Sequence, residues 1–303
     1  MITIHWIDDD FNVCSSILDF RCFPPPHSAE AHAQFIYDSV SLVGFGLCIR
    51  AITTDNAPQL ENLHRHLQVM FAVDAVQLPN DFHLHCICHV INIAVKKFLD
   101  LITDDIAVAR CLVNSIWASM VGWQKFDAIA DQQNLVMKSA YARAIKDNPN
   151  ANAIPTPEFI RLPTTTCVTW WNSTYMMLEL LLRACVVIDE MCSQGTRSPW
   201  ELHAISPEKW SLYSRYHRFL KDAYECTMAA SGESYVTVSL QPKIVEKLLE
   251  SCNKLLDVSL ESGTSWAASE RIQEAIQQMK TALLKYRPHL QGTLPMLALF
   301  LDP

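Results

Sequence analysis

What this chain has little of narrows its chemistry before any motif is found. Only 7 of its 303 residues are glycine and no glycine-rich phosphate loop is visible, which disfavours nucleotide-cofactor chemistry. No Gly-x-Ser-x-Gly elbow occurs, so an α/β hydrolase finds no nucleophile here. Basic residues are outnumbered, 24 Lys and Arg against 32 Asp and Glu, for a net charge of −8 and a pI near 5.7. Lys and Arg drive non-specific nucleic-acid binding by neutralising phosphates, so this balance argues against a strong autonomous DNA binder. No uncharged apolar run approaches the ~18 residues of a membrane span. The 11 cysteines lack the paired spacing of a secreted disulfide scaffold, and the N-terminus does not read as a signal peptide. A reducing compartment, cytosol or nucleus, is therefore expected. No internal repeat of fixed period appears.

What is present is an apolar chain, 50% hydrophobic and 18% charged, with ample material for a buried core. It is organised around Ile49 to Ala57, read as IRAITTDNA. A short β-rich run ending on an acidic residue and followed by a helix-like segment puts Asp55 at the C-terminal edge of a strand. Open α/β sheets place their chemistry at that edge, although Asp also favours turns and helix starts for local hydrogen-bonding reasons.

Upstream, ITIHWI reads as a strand, Asp8 to Asp10 as a solvated hairpin tip, and Phe11 to Phe20 as the returning strand. Ser28 caps a predicted helix to about Val43, and Cys48 to Thr54 forms the central strand. Leu60, Leu63 and Leu67 line the next helix, with His64, Arg65 and His66 expected at its surface. Phe82 to Cys86 reads as a strand and His89 to Leu101 as a helix. His83, His85, Cys86, Cys88 and His89 place five nitrogen or sulfur ligands within seven residues. Structural zinc draws on two separated ligand pairs, and no second pair lies nearby in sequence, so zinc is not expected. Beyond Leu101 the pattern is helical, with a loop from Asp147 to Pro163, one apolar helix from Met176 to Met191, and helices over Glu201 to Met228, Lys243 to Leu256 and Ser269 to Tyr286. Leu297 to Leu301 reads as strand-like. The aromatic stripe Trp210, Tyr213, Tyr216 and Phe219 is expected to be core or a helix interface.

Taken together, ITTDNA, FHLHCICHVINIAV (82–95) and TTTCVTWWNSTYMML (164–178) resemble, in that order and at those separations, the hAT superfamily of cut-and-paste DNA transposases. PMLALFLDP at the C-terminus is similar to the segment preceding that family's last catalytic region. The resemblance implies a ribonuclease H-like mixed sheet flanked by helices, an α/β core over residues 1–100, a helical insertion over 101–292 and a return to the core over 293–303. It makes Asp55 the second of two Asp which, with one Glu, hold a pair of Mg²⁺ or Mn²⁺ ions for DNA cleavage and strand transfer. It makes Cys86 and His89 the family's Cys-x-x-His pair, with a local structural role. Trp171, Asn172, Ser173, Thr174 and Thr169 match the third motif, but Thr166 and Trp170 replace its Asp and Arg.

In the family the matching Trp stacks on an extruded base, so Trp171 and Asn172 become candidate DNA contacts. Packing of Trp170 and Trp171 between core and insertion is the equally open alternative. By this resemblance the first Asp precedes the ITIHWI strand, in a strand lying between it and the one ending at Asp55, and the Glu follows the LDP segment. Lacking that strand, the two neighbours are expected either to pair directly or to leave a loosely folded fragment. The expected protein is a remnant truncated at both ends and catalytically inactive; a fragment of an active transposase or a domesticated DNA or protein interaction module are the alternatives. Implied partners are DNA at transposon ends, with a homo-oligomer left open and neither a membrane nor a small-molecule substrate; the implied location is the nucleus.

Overall fold

The computed structural model describes residues 1–44, 49–147, 156–165, 171–193, 200, 203–232, 235–261 and 269–301. Strands β1 (Ile2–Ile7) and β2 (Val13–Asp19) form an antiparallel hairpin in which Trp6 faces Cys14 and Ile7 faces Val13. Its tip is the acidic run expected from sequence. Asp8 Oδ1 accepts the backbone N–H of Asp10 at 3.0 Å and of Asn12 at 2.8 Å, so this carboxylate closes the turn. Helix α1 (Ala29–Val43) begins at Ser28, whose Oγ accepts the Ala31 N–H at 3.2 Å, and ends at Gly44 in the left-handed region, φ 74°.

Strand β3 (Ile52–Thr54) runs parallel to β4 (His83–His85). The crossover between them contains a 3₁₀ turn (Pro58–Leu60) and helix α2 (Leu63–Val73). Leu60, Leu63, Leu67 and Phe71 point inward, where Ala33 and Val40 of α1 and Phe82 complete one apolar cluster. This burial is what holds the short β3–β4 ladder in place, because three residues of parallel pairing supply few hydrogen bonds of their own.

The remaining elements are helices: α3 (Ile87–Leu101), α4 (Thr103–Trp117), α5 (Met120–Asp147), α6 (Trp171–Arg183), α7 (Cys185–Ser193), α8 (Pro207–Ala230), α9 (Leu240–Glu261), α10 (Glu270–Leu290) and α11 (Thr293–Leu301). The chain divides into two compact units, 1–94 with 225–253 and 278–303, and 95–224 with 254–277. In the second unit Tyr213 and Tyr216 are fully buried, as the aromatic stripe predicts. Their hydroxyls donate to the Asp105 backbone oxygen at 2.8 Å and to Asp105 Oδ2 at 2.7 Å, and Arg271 pairs with the same carboxylate at 2.5 Å. Among the described residues no single helix is long and apolar enough to cross a membrane.

The fold is mixed α/β with helices dominant, and four details depart from expectation. Among the described residues the strands form two separate two-stranded sheets, not one mixed sheet, and β1 does not pair with β3. The ladder on β3 is instead extended along β4 at both ends, by Ile52 N–H to Phe82 O at 2.7 Å and Cys86 N–H to Thr54 O at 2.9 Å. Leu297 to Leu301 is helical, not strand-like. Short apolar runs do not distinguish the two, and Asp81 caps the helix by accepting the Leu294 N–H in the first turn of α11 at 3.0 Å. The apolar stretch from Met176 to Met191 is two helices broken at Ala184, a break that apolar composition does not record. His64 and His66 are half-buried, not at the surface. Cys48, Thr166, Thr169, Trp170 and Glu201 lie outside the described residues.

Candidate functional site

The site is the C-terminal edge of β3 and β4. Asp55 is the first residue past β3; it is exposed, and its Oδ1 accepts the Ala57 N–H at 3.3 Å. The local turn and the strand-edge carboxylate are therefore one arrangement, since the turn fixes where the carboxylate stands. Its neighbours on both sides are tied to β4. The Thr54 hydroxyl donates to the Asp55 backbone oxygen at 3.0 Å, so the 2.8 Å contact between Thr54 Oγ1 and His83 Nε2 has the ring as donor. Asn56 Oδ1 lies 2.6 Å from His85 Nδ1 and accepts its proton in the same way. The loop carrying Asp55 is thus bracketed by two neutral imidazoles whose tautomers its neighbours select.

These rings belong to a larger cluster. His64 stacks on His83 at a centroid distance of 6.3 Å, His83 lies 5.7 Å from His85, and His85 meets His289 at 4.7 Å and Tyr286 at 5.6 Å. Burial, followed by the like charges of His85, His64 and His289, pushes the His83 pKa down to about 4. His85 is lowered by burial and by His289. His83 and His85 are therefore uncharged beside Asp55 at neutral pH.

Immediately beyond β4, Cys86 occupies the N-cap position of α3: its carbonyl accepts the Val90 N–H at 3.0 Å, the first bond of the helix. The Cys88 thiol donates to the Cys86 sulfur, which also receives the backbone N–H groups of His89 and Cys88. With the charge of His89 these outweigh desolvation and bring the Cys86 thiol down to about 6, while Cys88 is driven up by the same bond. Cys86 and His89 therefore share one helix turn directly behind the Asp55 edge. Sequence spacing marks this pair but misses Thr54, Asn56, His83 and His85 as supports of the Asp55 loop; the alternation in His83-Leu84-His85, which puts both imidazoles on one face of β4, is the signal that would have found the last two.

The third motif sits in the other unit. Trp171 opens α6 and is buried, 3% exposed, with Thr174 accepting from Arg110 at 3.2 Å. Asn172 is half-buried, and its Oδ1 has no hydrogen-bond partner among the described residues. A Trp171 ring in this position packs the core; contact with a base requires it to leave that position. Among the described residues no group of three or more His, Cys, Asp or Glu is arranged to hold a metal ion. Asp55 alone supplies one carboxylate, so the Mg²⁺ or Mn²⁺ pair does not fit the donor set that the described residues assemble.

Residues 1–79 match the family model of the ZBED1 RNase-like domain. Over 244 residues the chain is 24% identical to an AC transposase of Zea mays, covering 79% of this chain and 27% of that protein. Over 181 residues it is 23% identical to the AC9 transposase of Zea mays, covering 59% and 19%. A transcriptional regulator, tpeD, of Talaromyces stipitatus is 21% identical over 250 residues, covering 78% and 28%. The chain thus spans about a quarter of the length of the curated relatives it matches. A ribonuclease-like family model over residues 1–79, together with likeness to maize AC transposases over 79% of the chain, marks this chain as similar to hAT-family transposases.

Proposed function

We propose that this chain is a DNA-binding part of an hAT transposase system, acting in the nucleus, in which Asp55 is one of the carboxylates that strand cleavage requires. The observation that carries the reading is the exposed Asp55 at the end of β3, fixed by its own turn and flanked by Thr54 and Asn56 anchored on His83 and His85. Residues 1–303 alone do not cleave DNA in this reading, because one carboxylate cannot hold two cations. Their contribution is to present the Asp55 edge and to contact DNA weakly, as expected at a net charge of −8.

Fluorescence anisotropy with duplex DNA taken from the gene's flanks, at ~50 to 200 mM salt, tests the binding. A nicking assay with Mg²⁺ or Mn²⁺ tests the chemistry. Salt-dependent binding without nicking is expected. Metal-dependent nicking that Asp55→Ala abolishes would overturn the inactivity of these residues, and absence of binding at the lowest salt would overturn the DNA assignment. The likeness to tpeD supports a second reading, a host regulatory protein reusing the fold as an interaction module. In that case Asp55→Ala leaves binding unchanged.

A further inference from the structure

The two thiols at the start of α3 have no part in the reading above, and their placement carries an inference independent of it. Cys86 and Cys88 are two residues apart, both half-buried, and neither is in a disulfide. Two features of the chain bring their sulfurs together. Cys86 is at the N-cap, where the backbone is not helical, so its side chain turns back over the first turn and receives the N–H groups of Cys88 and His89. Cys88 lies in that turn with its thiol donating to the Cys86 sulfur and 3.6 Å from Ser231 Oγ. An Asn, Asp or Ser at an N-cap accepts the same N–H groups with oxygen; here the acceptor is a nucleophile, and a second thiol lies two residues on in the same turn.

We propose that Cys86 and Cys88 are a redox-active dithiol that closes reversibly to a disulfide on reaction with a small-molecule disulfide of the glutathione class. The Cys86 thiolate attacks one sulfur of the small disulfide, forming a mixed disulfide and releasing one thiol. Cys88 then gives up its proton and attacks the Cys86 sulfur, releasing the second thiol. Two protein thiols are oxidised, and one small disulfide is reduced to two thiols. The helix N-terminus that holds Cys86 as a thiolate makes it the attacking sulfur, and the elevated Cys88 leaves it the resolving one. Closure acts on the candidate site through a short path, because the Cys86 N–H is bonded to Thr54 O, one residue before Asp55.

Peptide-resolved mass spectrometry of the whole 303-residue protein tests this. With excess glutathione disulfide, the peptide holding Cys86 and Cys88 is expected to lose two hydrogens and to recover them with reduced glutathione. Cys88→Ser, which keeps a hydroxyl donor beside Cys86, is expected to stop at the mixed disulfide. The alkylation rate of Cys86 is expected to level off above about pH 7, whereas an ordinary thiol gains roughly tenfold per pH unit up to about pH 8.5. Buried Cys226 and Cys252 report folding in the same digest, since they stay unmodified while the chain is folded. The proposal is overturned if, with those two protected, wild type stops at the mixed disulfide as Cys88→Ser does, or if the Cys86 rate climbs to pH 8.5.

Discussion

Acidification should loosen the Asp55 edge before it unfolds the rest of the protein, and His83 sets the scale. In the folded chain its pKa is held at about 4 instead of 6.5, first by burial and then by His85, His64 and His289. The unfolded ring takes up a proton near pH 6.5 and the folded ring does not. Its contribution is therefore fully present above pH 6.5, is lost as pH falls from 6.5 towards 4, and changes no further below that. At 1.36 kcal/mol for each pH unit the ceiling is about 3 kcal/mol. The ring is only half-buried, and solvent screening brings the expected figure to about 1 to 2 kcal/mol. His85, lowered for the same reasons, adds in the same direction.

Substituting His83→Gln keeps an N–H donor for Thr54 Oγ1 and removes the titration. Urea unfolding followed by tryptophan fluorescence, at pH 7.5, 6.5, 5.5 and 4.5, gives the stability of both proteins. Carboxylates that protonate over this range contribute equally to each and cancel in the difference. Wild type should lose about 1 to 2 kcal/mol more than His83→Gln between pH 6.5 and 4.5. Parallel curves would refute the argument, since they would mean that the His83 ring titrates alike in the folded and unfolded chain.

Other perturbations follow from single contacts. Asp105→Ala removes the carboxylate that accepts from the buried Tyr216 hydroxyl and pairs with Arg271, and should cost about 2 to 3 kcal/mol in urea unfolding, against less than about 1 kcal/mol for Tyr216→Phe, which removes the donor alone. Gly122→Ala puts a methyl 2.7 Å from the Trp200 ring and should cost about 1 to 3 kcal/mol; a thermal midpoint equal to wild type would contradict that packing. Trp171→Ala should destabilise by about 3 to 5 kcal/mol, as a buried ring does, whereas a poised DNA contact would change stability little and DNA affinity strongly. Asp55→Ala should shift the urea midpoint only slightly, by about 0.5 kcal/mol, because the carboxylate is exposed and makes one turn hydrogen bond.

How far the sequence could be read depended on the range over which each feature is decided. The β1–β2 hairpin, the Ser28 cap and the inward face of α2 are set by residues within one or two turns of each other, and all are found where periodicity and capping chemistry place them. Asp55 was legible for the same reason: a strand that stops on a turn-forming acid is a local event. The helix over Leu297 to Leu301 is capped by Asp81, more than two hundred residues away, and no window around either residue contains that contact. The imidazole bracket is of intermediate kind. His83 and His85 stand out in sequence as ligands in search of a metal, but Thr54 and Asn56 lie 29 residues upstream and reach them only through the parallel pairing of β3 with β4. Each ring donates through one nitrogen, which fixes its tautomer and leaves the other nitrogen as the lone-pair side of the ring. The dense His and Cys run thus carries two structural tasks, positioning the loop that carries Asp55 and capping α3 with sulfur, and the first follows from the register of a three-residue ladder.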